Sequence, residues 1–140
     1  MTREEILQFF TQRQEAWRRR DGDALAAGHT DDGVVESPAF GTTIGRAAIL
    51  ESYEALFAAF PDQELQVQEI LIDGDRAALF WTAMGTHSGP FFGLTATGKR
   101  YQIHGVFLDT LKDGRIARER RMYDFTALLL QIGVLRAKPR

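Results

Sequence analysis

The sequence contains no cysteine, so disulfides, thiolate catalysis and cysteine metal sites are excluded. It also has few histidines. His29, His87 and His104 lack a metal-ligand spacing such as His-x-x-x-His, so we expect no metal site. A chain without cysteine is compatible with the cytoplasm, where we expect the protein to reside.

Long apolar runs and an excess of one charge are also missing. No run approaches the ~20 apolar residues that span a bilayer. Residues 1–5 carry two acids, and no apolar stretch of a signal peptide follows. The net charge is −2, and acids accompany most basic clusters, so neither a membrane nor a nucleic acid is an expected partner. We expect a single domain over residues 1–140, long enough for an ordinary core.

Helical spacing of apolar residues marks the first part of the chain. Thr2 and Glu5 form a predicted capping box, and Ile6, Phe10 and Trp17 follow on one helical face. A glycine ends this helix, and a proline ends a later one with the same periodicity. The spacing predicts helices over residues 2–20, 24–29 and 46–60.

Alternating patterns and tight turns mark the rest. Glycine-containing turns at 73–75 and 112–114 separate apolar, β-branched segments, and a loop rich in glycine and aromatics covers 88–99. The predicted strands are 34–37, 65–72, 76–87, 100–111 and 115–123, with a turn or short strand at 40–45 and a closing helix at 124–132. Helices followed by strands predict an α+β fold, with helices on one face of the sheet.

Two predicted strands are apolar on both faces. Residues 77–84 and 106–108 do not alternate with polar residues, as they would in a sheet with one wet face. A second subunit is the simplest cover for the outer face, and a C₂ dimer is the commonest form. The alternative is that the sheet curls sharply and covers itself.

Several motifs together resemble one family. They are the loop at 87–93, Thr97-Gly98-Lys99, Asp113-Gly114-Arg115-Ile116, and Asp124 followed by Leu128-Leu129-x-Gln131-x-Gly133. Over residues 13–133 the chain resembles the SnoaL-like polyketide cyclases of the nuclear transport factor 2-like superfamily. The resemblance implies a cone of curved antiparallel or mixed sheet with three N-terminal helices and a short C-terminal helix, enclosing a deep pocket. It also implies dimers formed through the sheet.

The resemblance further implies a function. The founding cyclases close a ring of a polyketide methyl ester by an intramolecular aldol reaction, without a cofactor, and an acid in the pocket moves the proton. The superfamily also contains ketosteroid isomerases, epoxide hydrolases, dehydratases and non-catalytic ligand binders, so the fold alone does not choose. We expect an apolar or polycyclic carbonyl ligand and no cofactor.

Asp124 and His104 are the predicted proton movers. Asp124 matches the family's acid before the closing helix, although an aspartate there is also a preferred N-cap for Thr126 or Ala127. His104 has a suitable ordinary pKa if it faces the pocket. By alternation it shares a face with Val106 and Leu108, so all three or none should face the pocket.

The predicted substrate-binding residues comprise one arginine, one acid and several aromatics. Arg121 and Tyr123 share a face of the last strand with Glu119, and an arginine there suits an anionic or carbonyl ligand. The cyclases instead carry a tryptophan and then an acid near Arg121, and the isomerases an aspartate where Ser37 stands. These departures put both chemistries in doubt and leave a binding protein, or an incomplete epoxide hydrolase, as alternatives. The remaining predicted contacts are Trp17, Glu36, Tyr53, Phe57, Trp81, Phe91 and Phe92, with the last two as a mobile lid.

Overall fold

The protein combines four helices with one curved, mixed sheet of six strands. The computed structural model describes residues 1–136 and 138, so 137, 139 and 140 of the predicted domain lie outside the described residues. The predicted α+β fold is confirmed. The elements are α1 (Arg3–Arg18), α2 (Gly22–Ala27), β1 (His29–Ser37), β2 (Gly41–Ile44), α3 (Arg46–Ala59), β3 (Glu64–Asp73), β4 (Arg76–Thr86), β5 (Arg100–Lys112), β6 (Arg115–Tyr123) and α4 (Phe125–Gln131).

The helices form where the sequence supplies caps and one apolar face. The Thr2 side chain accepts from the Glu5 backbone, and the Glu5 side chain accepts from the Thr2 backbone, which confirms the capping box. α1 buries Ile6, Phe10 and Trp17. No helix within the described residues is long and apolar enough to cross a membrane.

The sheet order is β2-β1-β6-β5-β4-β3, with β1 parallel to β6 and the other neighbours antiparallel. Strand register sets three rows of residues on the inner face of β4, β5 and β6. From the deep end to the mouth, these rows are Ala77–Asp109–Glu119, Leu79–Phe107–Arg121 and Trp81–Gly105–Tyr123. The deepest row carries two acids, and the outermost carries two aromatics.

β1 is longer than predicted, because it begins at His29 rather than at residue 34. Thr30-Asp31-Asp32-Gly33 has the composition of a turn, but here it lies in an irregular strand. The register with β6 shifts between His29 and Val34. This early start carries His29 into the interior, where it is fully buried.

The outer face of the sheet carries apolar side chains that are open in the single chain. Phe80 is 41% exposed and Met122 is 59% exposed. Val106, the register partner of both, is half-buried. The alternative prediction, that the sheet curls and covers itself, is therefore wrong at these side chains.

Candidate functional site

A cavity lies between the inner face of the sheet and the helices. Its volume is about 60 Å³. Since one water needs about 10–15 Å³, it holds a few waters, whereas small-molecule pockets measure roughly 300–1,000 Å³. It is smaller than the deep pocket expected from sequence, so a polycyclic ligand has to widen it. The lining residues are Trp17, Ala39, Phe40, Leu56, Phe60, Gln63, Leu65, Trp81, Ala83, Phe91, Tyr101, Ile103, Phe107, Arg121, Tyr123, Phe125 and Leu128.

Few polar groups line this cavity, and most of them already have partners. Tyr101 donates its hydroxyl proton to the Gln63 side chain. The Tyr123 hydroxyl lies near Ser37 and Ala39, where β1 turns towards β2. Burial raises the pKa of both tyrosines, so both are neutral at physiological pH. Arg121 is therefore the charged group of the cavity wall.

Behind Arg121 lies a group of buried polar side chains, here called the buried polar cluster: Arg13, His29, Tyr53, Asp109, Glu119 and Arg121. The Arg121 Nε donates to Glu119 Oε1 at 2.8 Å. Its Nη2 donates to the Tyr53 hydroxyl oxygen at 3.1 Å. Arg121 thus joins the cluster to the cavity.

The Tyr53 hydroxyl is the centre of the cluster. Arg13 and Arg121 each donate to its oxygen at 3.1 Å. With both lone pairs occupied, the hydroxyl proton must point to the remaining neighbour, His29 Nε2, also at 3.1 Å. This count assigns His29 the tautomer with its proton on Nδ1, an atom that has no hydrogen-bond partner.

Asp109 and Glu119 form a carboxyl pair with opposite ionisation. Burial, the charge of Glu119 and a hydrogen bond with Glu119 raise the pKa of Asp109 well above its ordinary value. Burial alone would raise the pKa of Glu119 too, but Arg121, His29 and Arg13 together lower it. Asp109 is therefore the carboxyl that keeps its proton to the higher pH, and Glu119 is the carboxylate of the pair.

The cluster carries an excess of positive charge. Burial and the neighbouring arginines lower the pKa of His29 to about 3, against the opposing effect of Glu119, so His29 is neutral. Two guanidinium groups, those of Arg13 and Arg121, then face one carboxylate. This imbalance favours a ligand that brings a negative or electron-rich oxygen to Arg121.

Two aromatic rings separate the cavity from the deep end of the cluster. Trp17 and Phe107 stack at a centroid distance of 6.2 Å. Both line the cavity, and both also line a second void of about 10 Å³, beside Arg13 and Asp109. Trp17 and Phe107 therefore lie between the cavity and Asp109.

The structure places the two predicted proton movers outside the cavity. Asp124 is exposed and caps α4, where its Oδ1 accepts from the Ala127 backbone at 2.8 Å. The N-cap alternative is therefore confirmed, and the pocket position is wrong. His104 is exposed on the outer face, and its Nδ1 is 3.0 Å from the Thr82 hydroxyl. Val106 and Leu108, on the same face of β5, do not line the cavity either. None of the three residues therefore faces the pocket.

Glu36 also lies away from the predicted contact. Its carboxylate pairs with Arg118, and with Arg120 at 3.8 Å, on the outer side of the sheet. Since residues alternate along β1, its neighbour Val35 takes the buried position instead.

The other predicted contacts lie in or next to the cavity. Arg121, Tyr123, Trp17, Trp81 and Phe91 line it. Tyr53 lies beneath it in the cluster, and Phe57 packs behind Trp17 at a centroid distance of 5.8 Å.

The predicted lid is a set of aromatic rings in tilted and edge-to-face contact. Phe91 is buried, whereas Phe92 is exposed and has a left-handed backbone with φ of 50°. Phe92 packs on Phe40 at 5.2 Å and on Phe125 at 6.2 Å between centroids. The rings join the 88–99 loop to the β1–β2 turn and α4. The mobility of Phe91 and Phe92 as a lid stays a prediction.

Sequence reasoning did not select Arg13, His29, Asp109 or Glu119 as site residues. A signal was available, since Asp109 has the same strand parity as Phe107 and Leu111, and all three are buried. Arg13 likewise lies on the apolar face of α1. Charged residues at core positions are rare unless paired, so each marks a buried partner.

Comparison with known proteins agrees with this geometry. The family model of the SnoaL-like polyketide cyclases matches residues 7–132. The chain belongs to the SnoaL-like polyketide cyclase family. No curated protein matched the sequence.

Solved structures with this fold include two from Streptomyces. AclR of S. galilaeus, a candidate hydroxylase, is 28% identical with a TM-score of 0.83, over 99% of this chain and 91% of AclR. IdmH of S. antibioticus, a candidate polyketide cyclase, is 28% identical with a TM-score of 0.75, over 90% of this chain and 96% of IdmH. TerC, co-crystallised with polyporic acid, is 20% identical with a TM-score of 0.76, over 92% and 98% of the two chains. The SnoaL-like protein thus has the nuclear transport factor 2-like fold.

Proposed function

We propose that this SnoaL-like protein binds an apolar, aromatic or polycyclic carbonyl compound, such as a polyketide ester, and transforms it by cofactor-free acid/base chemistry. One observation carries the proposal. Arg121 lines an otherwise apolar cavity, and Glu119 and Tyr53 hold its guanidinium in place from behind. A fixed cation in an apolar wall suits a carbonyl oxygen that gains charge during reaction.

The chemistry proposed is formation of an enolate. A base removes a proton from the carbon beside the carbonyl, and Arg121 stabilises the negative charge that develops on the oxygen. In cyclisation, the enolate carbon forms a bond to a second carbonyl carbon of the same molecule, whose oxygen takes up the proton. In isomerisation, the proton returns to a different carbon.

Glu119 is the proposed base, in place of Asp124 and His104. It is the ionised member of the carboxyl pair, and Asp109 can hydrogen-bond to it with its retained proton. Glu119 lies behind Arg121 and does not line the cavity, so side chains of the wall have to be displaced before the ligand approaches it. We expect this displacement to occur as the cavity widens.

Related structures support the ligand class. TerC was crystallised with polyporic acid, and IdmH is a candidate polyketide cyclase at 28% identity. An aromatic lining with one arginine suits compounds of this kind.

A second candidate is a binding protein without catalysis. The observation that favours it is that the cavity lining contains no Asp, Glu or His among the described residues. A protein that only sequesters the ligand needs Arg121 and the aromatic walls, but not Glu119.

Deuterium exchange into α-tetralone, an apolar bicyclic ketone, separates the two candidates. NMR in deuterated buffer measures both its binding and exchange at the carbon beside its carbonyl. We expect the wild-type protein to accelerate exchange, and Glu119→Gln to bind the ketone without acceleration. Binding without acceleration by the wild-type protein indicates the second candidate. Absence of binding contradicts both.

We also propose a homodimer formed through the outer face of the sheet, in a cytoplasmic protein of one domain. Phe80 and Met122 offer apolar surface on that face. Sedimentation measures the outcome: the wild-type protein should be a dimer, and Phe80→Glu should be a monomer. A monomeric wild-type protein contradicts this proposal.

A further inference from the structure

Gly105 leaves the space that the Trp81 side chain occupies. Trp81 faces Gly105 across the β4–β5 pair. A Cβ added at Gly105 would lie 2.3 Å from Trp81 Cζ2, far too close for any side chain. The glycine therefore lets the indole lie across β5. Phe107 and Tyr123 flank the ring at centroid distances of 5.1 and 6.0 Å and fix its orientation.

The indole N–H has no partner although it is buried. Trp81 is 4% exposed, and its Nε1 makes no hydrogen bond. An unsatisfied buried donor is unfavourable, because it has lost its hydrogen bond to water without gaining another. Buried tryptophans normally find a partner for this group, so its state calls for an explanation.

The cavity explains the unpaired indole N–H, because Trp81 forms part of the cavity wall together with Arg121. Among the other polar groups of the wall, Tyr101 donates to Gln63, and Arg121 donates to Glu119 and Tyr53. The side chains of Arg121 and Trp81 carry donors and no acceptor. Such a wall selects for oxygen acceptors on an apolar frame.

We propose that Trp81 is a specificity-determining residue whose Nε1–H donates a hydrogen bond to a second acceptor oxygen of the ligand, besides the oxygen held by Arg121. The inference rests on the proposed binding of a carbonyl compound. It narrows the ligand class to aromatic compounds with two acceptor oxygens, such as a ketone that also carries an ester or a second ketone. The second oxygen lies on the part of the frame that packs against β4 and β5.

Two probes of similar shape test the inference. 6-Acetyl-α-tetralone carries the second acceptor, and 6-isopropyl-α-tetralone replaces it with an apolar group. A neutral hydrogen bond of about 0.5–1.5 kcal/mol corresponds to roughly 2- to 12-fold in affinity. We expect Trp81→Phe to weaken binding of the acetyl probe by this factor more than it weakens binding of the isopropyl probe. Trp17→Phe, in the same cavity, should affect both probes equally.

Indole NMR of the wild-type protein gives a second readout that needs no variant to fold. The chain has two tryptophans, so two indole ¹⁵N–¹H signals are expected. The Trp81 proton should move downfield with the acetyl probe and not with the isopropyl probe. Equal affinity losses for both probes in Trp81→Phe, or an unmoved Trp81 signal, overturn the inference while the proposed function stands. If neither probe binds the wild-type protein, the inference and the proposed function both fail.

Discussion

Asp109 and Glu119 face each other across β5 and β6, each only 1% exposed, and Asp109 keeps its proton to a higher pH than Glu119. Two carboxylates this close in a dry interior cannot both ionise without great cost. Arg121 and Arg13 decide which one does, because they stabilise the charge of Glu119. The pair is therefore asymmetric, with a donor and an acceptor in fixed places.

Asp109→Asn should stabilise the protein as pH rises. Because the pKa of Asp109 is raised in the folded protein, its contribution to stability is fully present below the unfolded pKa of ~3.9. That contribution is lost as pH rises through the folded pKa. Asparagine removes this loss and can still donate to Glu119. The variant should gain stability over wild type as pH rises from about 5 to about 9, measured by urea unfolding. The exposed Asp75→Asn should show no such gain; an equal gain there contradicts the assignment.

His29 should destabilise the protein in acid. Its folded pKa of about 3 lies below the ordinary 6.5, so its contribution is full above pH 6.5 and is lost as pH falls towards 3. Between pH 7 and 5 this loss amounts to about 2 kcal/mol in the free energy of unfolding. His29→Gln should flatten that slope. His104→Gln, at an exposed histidine, should leave the slope unchanged.

Removing the Arg121 charge should destabilise the buried carboxylate of Glu119. Arg121→Met leaves a buried carboxylate without its closest partner, and breaking such a pair costs about 3–5 kcal/mol. The double variant Arg121→Met, Glu119→Gln should recover most of this stability in thermal or urea unfolding. It should not recover α-tetralone binding, because the cation of the cavity wall is still missing. Recovery of binding would show that Arg121 has only a structural role.

Asp124 should matter for α4 and not for turnover. Asparagine caps a helix as well as aspartate does, so Asp124→Asn should change stability little, whereas Asp124→Ala should cost about 1 kcal/mol. Both variants should keep the wild-type rate of deuterium exchange into α-tetralone. Loss of exchange in Asp124→Asn would return this residue to the role of proton mover.

The sequence predicted the elements well because periodicity reports local structure. β6 was predicted with its observed bounds, Arg115–Tyr123, and alternation placed Arg121 and Tyr123 together on one face. Alternation could not say which face of β5 is inside, because both faces are apolar. His104 was therefore weighed as a pocket residue although it faces outward.

The buried acids were harder to predict. An acid in a strand is usually solvent-facing, and Asp109 differs only through its partners Glu119, Arg13 and Arg121, which come from distant parts of the chain. His29 was missed for a related reason. The turn-like segment after it concealed the irregular start of β1 that carries it inward.

The unequal number of cations and carboxylates behind Arg121 also acts on whatever enters the cavity. A guest with a phenolic or enolic hydroxyl meets a local potential that favours its anion. Burial opposes that anion, as it does for Tyr123, whose pKa is raised although Arg121 lies beside it. A phenolic pigment in the cavity should therefore keep the absorption spectrum of its neutral form.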